Sequence, residues 1–274
     1  MKQALRPFQE NLHISHSQIF CYLACGLKYK LQYVEQRPRE RISLALPFGR
    51  AIHQAIERYY RSLLDDKTIV SLQLLEILFE ESLLMELDNA KEPVIFKNEA
   101  PDTDSAINMG KGLLKTFYEN IDLAGMEIVD VELPLSAPLY TEHGEMTDIQ
   151  LIGVIDLLLK DADGNYLVVD NKTSKQKKSQ DAVDNDLQMT TYSYLLATNG
   201  YVFPRAEVNC RFDVLRKLKT PTLEHYYTSR TAEDRRRFAK LANAVLKGIE
   251  QRIFIPVKGW LCSDCAYADA CSKW

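Results

Sequence analysis

No apolar run in this 274-residue sequence reaches the length of a membrane span, although 46% of its residues are hydrophobic. The first residues, Met1-Lys2-Gln3-Ala4-Leu5-Arg6-Pro7, lack the apolar core of a secretory signal. Both absences point to a cytoplasmic protein with no membrane partner. Internal repeats and low-complexity segments are also missing, which excludes solenoid arrays. So is an excess of positive charge. The 34 Lys and Arg against 38 Asp and Glu leave a net charge of −4, so no global field announces a nucleic-acid binder.

What is present is a set of local signals. Basic tracks occur at Lys172-Thr173-Ser174-Lys175-Gln176-Lys177-Lys178 and at Arg235-Arg236-Arg237. Either alone reads as a solvated face, but a nuclease needs only a local track. There are six cysteines: Cys21, Cys25, Cys210, Cys262, Cys265 and Cys271. In a reducing compartment such clustering suggests metal rather than disulfides. The last three supply closely spaced thiols, and a four-thiolate site needs one more.

Three runs carry chemistry: Gly153-Val154-Ile155-Asp156, Asp170-Asn171-Lys172, and Gln188 with Tyr192 four residues later. The first two flank the turn Asp161-Ala162-Asp163-Gly164-Asn165, and their β-branched apolar arms predict a hairpin. Positions 156 and 170 are symmetric about 163, so that register sets Asp156 opposite Asp170, with Lys172 two residues on and on the same side. Buried carboxylates are costly unless paired or metal-bound, and carboxylate oxygens suit a hard cation such as Mg²⁺. A lysine beside them can orient or deprotonate a water, which is the chemistry of metal-assisted phosphodiester hydrolysis. Gln188 and Tyr192 share one helix face and can position a water, a phosphate or Lys172.

Helices are expected over 15–33 with Ser15 as cap, 47–64, 68–88, 104–122, 184–198 with Asp184 as cap, and from Thr231 to about 251. Strands are expected over 127–133, 150–160, 166–172 and 206–215. A helical first half therefore precedes a β-rich core.

These runs resemble the PD-(D/E)XK nuclease superfamily, and within it the RecB-like branch of recombination-repair nuclease domains and CRISPR-associated exonucleases with an iron–sulfur cluster. Ile14-Ser15-His16-Ser17 followed by Tyr22-Leu23-Ala24-Cys25-Gly26-Leu27-Lys28-Tyr29 is similar to the family's opening helix, with Gly26 where proline often follows the first ligand cysteine. Phe48-Gly49-Arg50-Ala51-Ile52-His53 resembles the helix with a metal-facing histidine, and the tail cysteines resemble the ligand triplet. The resemblance implies an α/β (α+β) fold with a restriction-endonuclease-like core. That is a mixed central sheet flanked by helices, with an N-terminal helical elaboration and a Cys-rich C-terminal tail. Residues 1–274 would form one nuclease domain, with a helical insertion at 65–125 and a cysteine tail at 256–274 that joins Cys25.

The implied activity is Mg²⁺- or Mn²⁺-dependent hydrolysis of DNA, as an exonuclease on single strands or DNA ends. The implied metal ligands are His53, Asp156, Asp170, the Asn171 carbonyl and Glu132, with Glu57 as a further neighbour. Asp156, Asp170, Lys172, Gln188 and Tyr192 would carry catalysis, and Lys175, Lys177 and Lys178 would track the DNA backbone. Tyr194 and Tyr201 read as core rather than as base-stacking residues. Cys25, Cys262, Cys265 and Cys271 can hold zinc or a [4Fe–4S] cluster, and spacing does not decide. The resemblance favours iron–sulfur and leaves Cys21 as a buried small hydrophobe. Two other readings stay open: a catalytically silent DNA-binding or scaffold subunit of a repair or CRISPR complex, and a sequence-specific endonuclease. The second needs a recognition region, and 65–125, with Glu76, Glu80, Glu81 and Glu86, suits a protein partner better than DNA.

Overall fold

The computed structural model describes residues 12–141 and 143–274, Trp260 by its backbone alone. The Met1–Pro7 start lies outside the described residues. In chain order, β1 (His13–Ser15) leads into α1 (His16–Ala24), α2 (Gly26–Tyr29) and a π-helical turn, Lys30–Val34. Next come β2 (Ile42–Ser43), α3 (Ala45–Asp65), α4 (Leu72–Asp88), β3 (Val94–Ile95) and α5 (Thr103–Asn120). The long strands β4 (Met126–Tyr140), β5 (Met146–Asp161) and β6 (Tyr166–Ser174) follow. Then α6 (Gln180–Asp184), α7 (Leu187–Thr198), β7 (Val208–Arg216), β8 (Thr222–Arg230) and α8 (Ala232–Glu250) complete the layers. A 3₁₀ turn, Trp260–Asp264, and α9 (Ala268–Ser272) close the chain.

Helix starts follow side-chain caps. Ser15 and Gln18 form a capping box at α1, Thr231 and Asp234 form another at α8, and Ser71 and Asp102 cap α4 and α5. Three expectations need correction. The helix foreseen over 15–33 breaks at Cys25, which is extended at φ −166° and ψ 107°. The apolar repeat runs on across the break, so periodicity hides it. The helix foreseen over 184–198 is two helices, and Asp186 rather than Asp184 caps the second, its carboxylate accepting from Gln188 N at 2.9 Å. Strand β8 went unforeseen because it is an edge strand whose sequence, Thr-Leu-Glu-His-Tyr-Tyr-Thr-Ser-Arg, is polar enough to read as a loop.

The mixed central sheet runs β1-β5-β6-β7-β8, and β4 pairs the other edge of β5. Strand β5 is the hub. It pairs β4 antiparallel along almost its whole length. Its opposite edge is shared: β1 pairs in parallel at residues 150–152, and β6 pairs antiparallel at 157–160. Between them, Gly153-Val154-Ile155-Asp156 has no strand partner on that edge. The sheet forks there, and β6 continues from Asp170 to Ser174 paired only with β7. The hairpin register, Leu157 with Val169 through Lys160 with Tyr166, is symmetric about residue 163 as expected, and pairing stops one step short of Asp156 and Asp170.

Two apolar cores sandwich the sheet. Leu158, Val168, Phe212 and Val214 pack against α1, α7 and α8 through Ile19, Met189, Leu195 and Phe238. On the other face Val131, Leu157, Leu159 and Val169 pack against α3, α4 and α5 through Ile52, Ile56, Phe79 and Phe117. Helices α4 and α5 thus share a core with α3 and the sheet. Their contact is close at Gly110, where a Cβ would lie 2.0 Å from the Phe79 ring.

Gly110→Ala should therefore destabilise the fold by about 1–3 kcal/mol through overpacking. Phe79→Leu in the same chain should recover part of that loss in urea unfolding. Strictly additive costs would show that the two side chains do not meet.

Candidate active site

The fork gathers side chains from both helical layers. From the α3 side, His53 projects toward Asp156, with Nδ1 3.4 Å from Oδ2. Glu132 comes from β4, opposite Asp156 in the β4–β5 register. Ligand atoms of His53, Glu132 and Asp156 all lie within 4.8 Å of one another, the only such group of three among the described residues. The Asp156 carboxylate also accepts the Asn171 amide at 2.9 Å, so it takes over a backbone bond just where the strands part.

Backbone irregularity aims Glu132. A register shift falls between Ile128 and Asp130, and Glu132 itself adopts φ 48°. A side-chain-bearing residue in that left-handed region costs about 1–3 kcal/mol and persists where surroundings impose it. Arg61 of α3 supplies part of that constraint, donating to the Val131 carbonyl and pairing with Asp130 at 3.5 Å.

From the α7 side, Gln188 Nε2 donates to Asp170 Oδ1 at 2.7 Å and to the Tyr192 hydroxyl at 2.8 Å. The Tyr192 hydroxyl reaches the same Asp170 oxygen at 3.4 Å. Lys172 Nζ lies 2.8 Å from Asp170 Oδ2. Gly153 makes this approach possible, because a Cβ there would meet Leu195 of α7 at 2.9 Å.

Buried acids crowd the fork, and Lys172 offsets only part of their charge. Glu132 and Asp156 are 8% and 5% exposed, and Asp170 is fully buried. Glu132 Oε2 has no hydrogen-bond partner. Burial, then the Asp156 and Glu57 carboxylates, push Glu132 up to about 8. Burial pushes Asp170 up to about 6 against the pull of Lys172, with Asp156 adding to the rise. Burial works to lower Lys172, but Asp170 and Asp156 outweigh it and hold the ammonium charged. A charged lysine suits stabilising negative charge rather than taking a proton. A divalent cation among His53, Glu132 and Asp156 would satisfy the orphaned oxygen and cancel the repulsion, and two carboxylates with an imidazole are fitting donors for Mg²⁺ or Mn²⁺.

The expected residues thus separate into two groups. His53, Glu132 and Asp156 form one, while Asp170, Lys172, Gln188 and Tyr192 form the other beside it. Asn171 contributes its amide. Lys175 and Lys177 are exposed on the loop after β6, whereas Lys178 is half-buried, 3.5 Å from Asp186 and 4.2 Å from the Phe212 ring centroid. Tyr194 is core, its hydroxyl bonded to the Pro138 carbonyl and the Tyr140 amide, and Tyr201 packs edge-on against Tyr166. Two neighbours had no site role in the sequence reading: Asp186, and His16 of the opening motif, the latter within the fields of both Lys172 and Asp186. A cap two residues before Gln188 was the one available signal for Asp186.

All six cysteines are free thiols. Cys25 and Cys265 pack with Leu27, Leu31 and Tyr267 in a small third core. Cys271 is held up by burial and then by the nearby Cys25, Cys265 and Cys262. Cys21 is buried, and burial pushes its thiol up to about 11.

The family model for the PD-(D/E)XK nuclease superfamily matches residues 13–272. Among solved structures, a candidate exonuclease from Eubacterium rectale aligns over 95% of this chain and 87% of its own, at 10% identity and a TM-score of 0.54. A protein designated SSO0001 aligns over 90% and 94% of the two chains at 14% identity, with a TM-score of 0.33. No curated protein matches the chain.

The raised Glu132 carboxyl has a signature in stability. The folded chain keeps that proton up to about pH 8, whereas the unfolded chain releases it near 4.5, so stability falls as pH rises between the two values. His16 acts oppositely only below 6.5, and Lys217 only above about 8. From pH 6.5 to 8 the metal-free protein should lose about 2 kcal/mol. Thermal melts in chelator should show this slope, Glu132→Gln should flatten it, and Mn²⁺ should oppose it. A flat wild-type profile would mean Glu132 is already ionised.

Proposed function

The chain belongs to the PD-(D/E)XK nuclease superfamily, and from that premise we propose that it is a metal-dependent deoxyribonuclease that trims single-stranded DNA or DNA ends as an exonuclease of the RecB-like branch. The observation that carries the reading is the group His53, Glu132 and Asp156 set against the Asp170–Lys172 pair at the fork. These carboxylates are recessed between helical layers. A flexible single strand can thread into such a notch more readily than a stiff duplex.

His53, Glu132 and Asp156 would hold Mg²⁺ or Mn²⁺, with Asp170 and the Asn171 carbonyl as further candidate ligands. Bound there, the cation supplies Lewis-acid charge to the scissile phosphate and acidifies water. Lys172, kept charged by Asp170, orients the attacking water and stabilises the charge that gathers on phosphate oxygens as the P–O bond to the leaving nucleotide breaks. Gln188 and Tyr192 lock the Asp170 carboxylate and so fix where the ammonium sits. Lys175 and Lys177 meet the strand outside the notch. No helix among the described residues is long and apolar enough to cross a membrane.

Cys25, Cys262, Cys265 and Cys271 would hold a [4Fe–4S] cluster, which would tie α1 to the tail. Four thiolates suit either one zinc ion or a cubane, and the likeness to the cluster-bearing branch is what favours iron–sulfur.

Anaerobically purified protein should degrade end-labelled single-stranded DNA in Mg²⁺ or Mn²⁺, and Asp170→Ala or Lys172→Met should slow it by about 10²–10³-fold. A ladder shortening from one end marks an exonuclease. Cleavage undiminished in Asp170→Ala would sink the assigned site. The same preparation should contain iron and acid-labile sulfide, both lost in Cys271→Ser; stoichiometric zinc instead would overturn the cluster.

A further inference from the structure

Helix α1 leaves the sheet at the fork. Ser15 pairs with Ile152, one residue before the unpaired stretch that ends in Asp156, and His16 is the first residue of the helix. The ring of His16 lies in the fields of Lys172 and Asp186, beside the candidate site. One turn on, Phe20 meets His16 with ring centroids 6.0 Å apart and planes tilted by 32°. Phe20 is 48% exposed, and Leu23 continues the same face at 42%. Positions 16, 20 and 23 thus form a stripe at i, i+4 and i+7 that starts at the site and runs outward. The core-facing residues of α1 are Ile19 and Cys21. Phe20 thus offers a half-exposed aromatic face one helical turn from the residue that lies in the field of Lys172.

We propose that His16 and Phe20 form a base-stacking shelf for the nucleotide next to the scissile phosphate of a single-stranded substrate. The inference rests on the nuclease reading above and adds to it a surface that grips bases rather than phosphates. Continuity with the fork selects the occupant: His16 lies in the field of Lys172 and Phe20 stands one helical turn further on, so a strand whose phosphate meets Lys172 can lay a neighbouring base over the start of α1. The chemistry agrees. Aromatic faces accept any base, which suits a nuclease without sequence preference. His16 offers a neutral ring, because burial lowers it to about 4, with Lys172 working the same way against the pull of Asp186. It therefore backs the exposed Phe20 ring without setting a charge against the base.

The test separates shelf from catalysis by measuring binding without metal. Oligothymidylate carrying one 2-aminopurine near its end is titrated with protein in chelator. Binding to the wild type should quench the probe. Phe20→Ala should bind about tenfold more weakly with little quenching, and Phe20→Trp should retain both. An abasic linker at the probe position should cost the wild type about tenfold and Phe20→Ala almost nothing. Unchanged melting temperatures confirm folded variants at this half-exposed position. If wild type and Phe20→Ala bind base and abasic strands alike, or the wild type shows no base-dependent binding, the shelf is overturned and the stripe belongs to another occupant. Cleavage of the same oligonucleotide in Mn²⁺ reports on the nuclease reading alone. Quenching without cleavage would defeat that reading and not the shelf.

Discussion

The shared edge of β5 is the constraint on which the rest of the structure depends. One strand serves β1 at its N-terminal half and β6 at its C-terminal half, and four residues between them are left without a strand partner. A backbone edge inside a packed sheet cannot stay unpaired at low cost. The Asp156 carboxylate meets part of the demand by accepting the Asn171 amide. The gap opens both layers to each other, so that His53 from α3 and Gln188 from α7 approach the same few ångströms of strand.

Concentrating acids there opposes stability. Glu132 sits in a left-handed backbone conformation, with an orphaned carboxylate oxygen and a raised affinity for its proton. Each of these is unfavourable in the chain by itself, and a cation among these donors would relieve two of the three. The two cores on either side of the sheet supply the compensating burial. The division is spatial: His53, Glu132 and Asp156 gather on the α3 side of the fork, and the groups that hold Asp170 and Lys172 lie on the α7 side.

Helix α1 joins this centre to the far end of the chain. Its first residue stands beside Lys172 and Asp186, and the residue that ends it is Cys25, packed with Cys265. The extended backbone at Cys25 ends the helix just where the thiol meets the tail. The short helix thereby spans from the fork to the cysteines of the tail, with Phe20 and Leu23 on its outer face.

Sequence by itself determined the hairpin, its register and the identity of the carboxylates. A turn rich in Asp, Gly and Asn between two apolar arms leaves little freedom, and period-two alternation then places Asp156 and Asp170 at matched positions. It also determined the capped helices at Ser15 and Thr231, where local hydrogen bonds decide. Tertiary structure alone decided what depends on where strands stop pairing. The break at Cys25 lies within an unbroken apolar repeat, β8 lies at an edge where polar residues are tolerated, and the fork depends on β1 and β6, more than 150 residues apart, competing for one edge of β5. Only that arrangement sets His53, Glu132 and Asp156 apart from Asp170 and Lys172 and brings His16 to the site, because side-chain convergence across layers is a property of packing and not of spacing along the chain.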